Sequence, residues 1–170
     1  MKNLKQIAVA AVILLSFSAA TMGQSATAAA TATIITPITI TNTADLAFGN
    51  LFAGATGGTA VISSAGARSV TGDVTIPGNP GTFNAAAFTV NGQATWTYAI
   101  TLPAGALTIS SGVNTMTVDT WTSNPSGTGT LDATGAQTLT VGATLNVGAA
   151  QAAGAYTSGA TPFTVTVNYN

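Results

Sequence analysis

The chain has 170 residues, of which 46% are hydrophobic and only 4% charged; it contains three Lys or Arg, four Asp, and no Glu, His or Cys. Without His or Cys the common zinc and transition-metal ligand sets are missing, and without clustered cations a nucleic-acid or other polyanion surface is excluded. Disulfides are excluded as well.

In chain order, Lys2 and Lys5 precede the apolar run Ile7 to Phe17, followed by the small residues Ser18, Ala19, Ala20, Thr21 and Gly23. That order of charge, apolar run and small residues is the plan of a secretory signal peptide. The run falls short of the ~20 residues a spanning helix needs, and no later charged flank stops transfer, which speaks against a membrane anchor. The leader is expected to be 1–23, cut after Gly23, with Ala20 and Ala28 as the alternative cleavage points. Cleavage removes both lysines. Arg68 alone then stands against Asp45, Asp73, Asp119 and Asp132, a net charge of −3.

Residues 24–36 form an N-terminal extension, and 37–170 are expected to be one domain, long enough for a sizeable core. Beyond the leader no 3.6-residue period is found, whereas runs of Thr, Val, Ile and aromatics alternate between Gly, Asn and Pro. Ile38 and Ile40 share a face, and Leu46 with Phe48 follows. Phe88 and Val90 alternate with Thr89 before Asn91-Gly92, a hairpin-type turn signal. The return strand carries Trp96, Tyr98, Ile100 and Leu102 on one face and ends at Pro103. Met116 and Val118 make a shorter piece. Leu139, Val141, Ala143, Leu145 and Val147 line one side of a long run, and Phe163, Val165, Val167 and Tyr169 alternate with Thr164, Thr166, Asn168 and Asn170 to the last residue. Count and spacing predict an all-β, two-sheet sandwich of about seven to nine strands, with a closed barrel as the alternative.

The residue types bear directly on catalysis. Ser and Thr abound, but a hydroxyl nucleophile needs an adjacent base, and His and, after cleavage, Lys are missing. An acid–base pair of Asp would have to meet in one pocket. Each Asp instead sits beside turn or strand-edge residues, so the expected role is capping turns through the side chain. No catalytic, cofactor-binding or metal site is therefore assigned. Asp119 with Asn124 is a weak calcium candidate, because calcium takes about 6 to 8 oxygens and no dense carboxylate loop is present. Trp96 shares its face with core residues and is read as core; Trp121, off the Met116/Val118 face and before a turn-rich loop, is the candidate exposed contact, with Tyr156 unplaced.

The neutral Thr, Ser, Asn and Ala surface lacks the charge that usually protects strand edges from association. Subunit cohesion, if subunits exist, has to come from strand pairing and burial.

Three segments, "ITPITITNTADLAFGNLFAG", "AAFTVNGQATWTYAITLP" and "VGATLNVGAAQAAGAYTSGATPFTVTVNYN", resemble in order and spacing a family of secreted bacterial domains without assigned function, related to spore coat protein U and to chaperone/usher pilins. The resemblance runs from about residue 26 to 170. It implies an immunoglobulin-like (pilin-like) sandwich that lacks one strand, completed by a periplasmic chaperone and then by the N-terminal extension of the next subunit, delivered by an outer-membrane usher. The pattern of Phe163, Val165, Val167 and Tyr169 matches the C-terminal strand bordering the groove in such pilins, which makes these four the implied subunit or chaperone contacts. The implied donor strand is residues 25–35, presenting Ala28, Ala30, Ala32 and Ile34. A second register would use Ile34, Ile38 and Ile40, although Pro37 removes one ladder donor. The extension folding back on its own domain is the closed-monomer alternative.

The sequence thus leads to a secreted structural subunit of a surface filament or coat, reaching the cell surface through the periplasm and self-assembling by donor-strand complementation. The runner-up is a monomeric secreted or surface-attached binding module with carbohydrate as candidate ligand and Trp121 as its first contact; an enzyme comes third.

Overall fold

The computed structural model describes residues 22–170; the leader expected over 1–23 lies, but for its last two residues, outside the described residues. The chain falls into two units, 1–34 and 35–170. In the first, residues 22–34 carry no helix or strand, and every one of them is exposed.

The second unit is all-β, with twelve strands and no helix among the described residues. Its hub is β11 (Ala136–Val147), the long run expected from the sequence, with Leu139, Val141, Ala143, Leu145 and Val147 all buried. Along one edge β11 pairs with β9 (Asn114–Asn124), which in turn pairs with β8 (Leu107–Ser111). The other edge changes partner midway. Residues 136–141 pair with β6 (Ala86–Asn91), itself paired with β1 (Thr39–Ala44), while 143–147 pair with β3 (Phe52–Ile62), itself paired with β4 (Arg68–Thr75). Gly142 stands at the change of partner, where a Cβ would collide with the Ile62 carbonyl and the backbone of Ser63. Any larger residue would push the two half-sheets apart.

A second sheet orders β10 (Thr128–Thr130), β7 (Thr97–Thr101) and β12 (Thr166–Tyr169). A two-stranded ribbon joins β2 (Ala47–Phe48) to β5 (Phe83–Asn84). The all-β sandwich expectation holds, with twelve strands in place of seven to nine. The added ones include the hairpin β3–β4 and β8, whose residues are mostly Gly, Ala, Thr and Ser.

The hairpin read at Asn91-Gly92 does not form. β6 pairs with β1 and β11, and β7 belongs to the other sheet. Physically, the Gly92 amide is taken by the Gly135 carbonyl (2.8 Å), the Thr95 amide by Asp132 (3.1 Å), and Thr95 adopts φ 64°, so the chain is carried across the sandwich rather than back along β6.

Two buried clusters result. In the first, Phe88, Val90, Leu139 and Val141 face Tyr98, Val165 and Val167, with Leu131 among them. The second gathers Ala60, Val74, Val118, Ala143, Leu145 and Val147 from β3, β4, β9 and β11. The three-stranded sheet contributes no buried residue to this second cluster.

Candidate functional site

Beside the second cluster lies a groove of about 1190 Å³. Leu107, Ile109, Met116, Val118 and Val147, from β8, β9 and β11, line it. Leu46 and Phe48 line it from the ribbon side, and the strap 151–159, with Phe163 just before β12, from the other. Asp45 is the one ionisable carboxylate among the lining residues. The volume exceeds the ~300–1,000 Å³ usual for small-molecule pockets.

The strap is held by polar contacts. Thr157 exchanges backbone hydrogen bonds with Ser110 at the free edge of β8 (2.9 and 3.1 Å), and the Ala150 amide donates to Gly54 (2.9 Å). Gln151 donates to the Thr115 carbonyl (3.2 Å) and to the Tyr156 hydroxyl (2.9 Å), which itself donates to Ala152 (2.7 Å).

The opposite lip is organised by Arg68, a residue the sequence reading used only for its charge. Its Nη1 donates to the carbonyls of Phe48 (2.7 Å), Pro80 (3.2 Å) and Asn50 (3.4 Å), and its guanidinium lies 4.3 Å from the centre of the Phe83 ring. One cation therefore ties β4 to the 48–50 and 80–83 segments through charge-assisted bonds and a cation–π contact. A lone Arg within Ala- and Gly-rich sequence carries no pattern that foretells this.

Of the four C-terminal residues singled out in sequence, Val165 and Val167 are buried in the first cluster, and Phe163 and Tyr169 pack half-buried against it. The expected alternation is intact, since Thr164, Thr166, Asn168 and Asn170 are exposed. Phe163 stands nearly perpendicular to Phe88 (6.3 Å between centroids, 81°) and lies tilted by 35° against Trp121 (4.6 Å). The side chains thus fill the domain's own core, and what β12 leaves open is main chain. Asn170 donates to the Thr97 carbonyl (3.4 Å). Antiparallel alternation then turns Asn168 and Thr166 toward β7 and leaves the N–H and C=O groups of Val167 and Tyr169 on the other edge, where no strand pairs among the described residues.

The candidate donor residues Ala28, Ala30, Ala32 and Ile34 lie in the exposed segment, Ile34 at 97% exposure. No ionisable side chain occurs from Met22 to Ala44.

The tryptophans exchange the places assigned to them. Trp96 precedes β7, is 41% exposed and stands edge-on to the Tyr169 ring at 5.3 Å, because Thr95 turns the chain just before it. Trp121 is half-buried on Phe163, and its Nε1 donates to Gly105 (3.1 Å). The cause is a bulge: Asp119 pairs with Thr144 and Thr122 with Gly142, so Thr120 and Trp121 together oppose Ala143, with Thr120 at φ 53°. The inward parity shifts from Met116 and Val118 to Trp121 and Ser123.

Asp132 caps a turn as expected, accepting from the Thr134 amide (2.8 Å), the Thr134 hydroxyl (2.7 Å) and the Ala136 amide (3.0 Å). The Thr134 hydroxyl, then these amides, hold its carboxyl below the usual value. Asp119 accepts from Asn146 (2.9 Å) and Thr120 (2.9 Å), and Asp73 from the Thr56 amide (3.3 Å). Among the described residues no three acidic side chains gather as a metal cluster. Tyr98, fully buried, donates to Gln137 Oε1 (2.8 Å), and burial pushes its phenol up.

No curated protein and no solved structure matches the chain significantly. Residues 38–169, from the residue before β1 to the last of β12, match the family model described as a domain of unknown function, DUF4402. The chain belongs to that family.

Proposed function

We propose that the protein is a secreted structural subunit of a surface filament or coat whose immunoglobulin-like sandwich is completed by a strand from a neighbouring copy. The observation that carries this reading is an apolar groove whose lining reaches Phe163, three residues ahead of the unpaired edge of β12. A strand laid there gains main-chain hydrogen bonds from β12 and buries its apolar side chains against Ile109, Met116 and Phe163. The occupant is the neighbour's residues 24–35, an uncharged, strand-forming segment suited to a nearly uncharged groove. Burial of Ile34 contributes about 1.5–3 kcal/mol and each Ala much less, so main-chain pairing carries most of the hold. A periplasmic chaperone occupies the same edge before assembly, and an usher delivers the subunit to the surface.

Removal of residues 24–35 tests this. The truncated protein is expected to remain monomeric and to bind a synthetic peptide of those residues, while the mature chain forms polymers. Stable monomers from both forms, with no peptide bound, would overturn the reading.

A further inference from the structure

Both ends of the domain converge on one side chain. The Tyr169 hydroxyl donates to the Thr36 carbonyl (2.7 Å) and accepts the Gln93 amide, while the Gln93 side-chain oxygen accepts the Thr36 amide (3.2 Å). The ring stands against Trp96, and Gly92 lies so close to the hydroxyl that a Cβ there would collide with it. Thr36, Gln93 and Tyr169 therefore close a small loop of hydrogen bonds.

The position of this loop gives it meaning. β1 pairs only with β6 and β12 only with β7, so each has a free edge, and Ile38 and Ile40 pack on the same cluster as Val165 and Val167. β1 runs from the Tyr169 end toward Leu46 and Phe48 in the groove wall, and β12 runs from Phe163 in the groove wall to Tyr169. Tyr169 closes the seam between the two strands at its own end, and no strand pairing joins them toward the groove. The six steps from Phe163 to Tyr169 span ~20 Å at ~3.3 Å each.

We propose that Tyr169 is a positioning residue, an end clamp that shuts the seam between β1 and β12. It fixes the point at which the chain ahead of Thr36 leaves the domain and gives a strand entering from the groove a stop, and hence a single register. The register part rests on the strand-addition reading above. The phenol is spent inside the domain on Thr36 and Gln93, so its role does not require contact with a partner.

The test uses the mature chain with Tyr169→Phe, which keeps the ring against Trp96 and removes only the hydroxyl. Hydrogen exchange at the Gln93 amide is expected to accelerate about tenfold, the effect of losing roughly one hydrogen bond, with Val90 and Val141 unchanged. Gln93→Ala should accelerate exchange at Thr36, whose amide it leaves without an acceptor. For the register, Asn168→Cys in the protein lacking residues 24–35, which has no extension of its own to compete, introduces the only thiol of the chain, and peptides of residues 24–35 each carry one cysteine. Disulfides should form at one peptide position with Tyr169 present and spread two residues to either side with Tyr169→Phe. Unchanged exchange at Gln93 overturns the clamp, and one shared register in both proteins overturns its role as a stop. Failure of every peptide to crosslink in either protein overturns strand addition and the stop with it, while the exchange result still decides the clamp.

Discussion

The two halves of the sandwich share one central strand and differ in what covers it. Over the first half of β11, Leu139 and Val141 share a buried cluster with Tyr98 and Val167 from the second sheet and with Val165 just before β12. Over the second half, Ala143, Leu145 and Val147 have a partly open groove nearby, bordered by the 45–53 segment and the strap. The same alternating strand is thus completed at one end and left short at the other. Full burial and open apolar surface are thereby separated in space: Leu139 and Val141 are fully buried in the closed half, and Leu107, Ile109 and Met116 stay half-buried at the groove of the open one.

Paired truncations test that separation most severely. Leu139→Ala, in the closed half, should cost about 2–5 kcal/mol, the range for emptying a fully buried site. Met116→Ala, at a half-buried groove position, is expected to cost under about 1.5 kcal/mol, yet to weaken binding of the 24–35 peptide. Urea unfolding and peptide titration of both variants measure the contrast. Equal losses of stability would dissolve the distinction between the halves.

Arg68 sharpens it next. Replacement by Met keeps much of the apolar stem but leaves the Phe48 and Pro80 carbonyls without this donor. A loss of about 1–3 kcal/mol is expected, as for a partly buried charge-assisted bond. The informative part is its location. Exchange should accelerate in residues 48–50 and 80–83 and not at Val90 or Val141. Uniform acceleration would mean that the lip and the closed half unfold together.

Sequence legibility followed the same division. β11, β12 and Tyr98 were readable because large apolar side chains alternate strictly with Thr and Asn, and that period survives where strands are regular. β3, β4 and β8 went unread because Gly, Ala, Thr and Ser give little contrast between faces. β3 is also bulged, its residues 54–57 lying between the pairs Ala53–Val74 and Gly58–Gly72. Trp121 was misplaced for a related reason: a bulge reverses inward parity, and period-two reading cannot see the reversal. The C-terminal residues stand out as a group, but their burial in the domain's own core depends on packing against β6, β7 and β11, and the closure of Tyr169 on Thr36 on a contact between residues 133 apart in sequence.

Titration gives the smallest effects, and both concern the closed half. The folded carboxyl of Asp132 is held below its ordinary 3.8, so the stabilisation is complete above that value and is lost as pH falls from it toward the folded value. Asp132→Asn should flatten that acid limb by lowering neutral stability toward the acid value, because the uncharged amide oxygen still accepts from Thr134 and Ala136 but without the carboxylate's charge. Tyr98 shifts the other way. Burial raises its phenol above 10.0, so the unfolded chain ionises first, and stability declines as pH climbs from 10 toward the folded value. Tyr98→Phe keeps the ring in the first cluster and removes the titrating group, so its urea midpoint should decline less steeply across that alkaline range than that of the unaltered chain. Equal slopes would mean that the phenol reaches water before the domain unfolds, and that the closed half is looser around β7 than its packing implies.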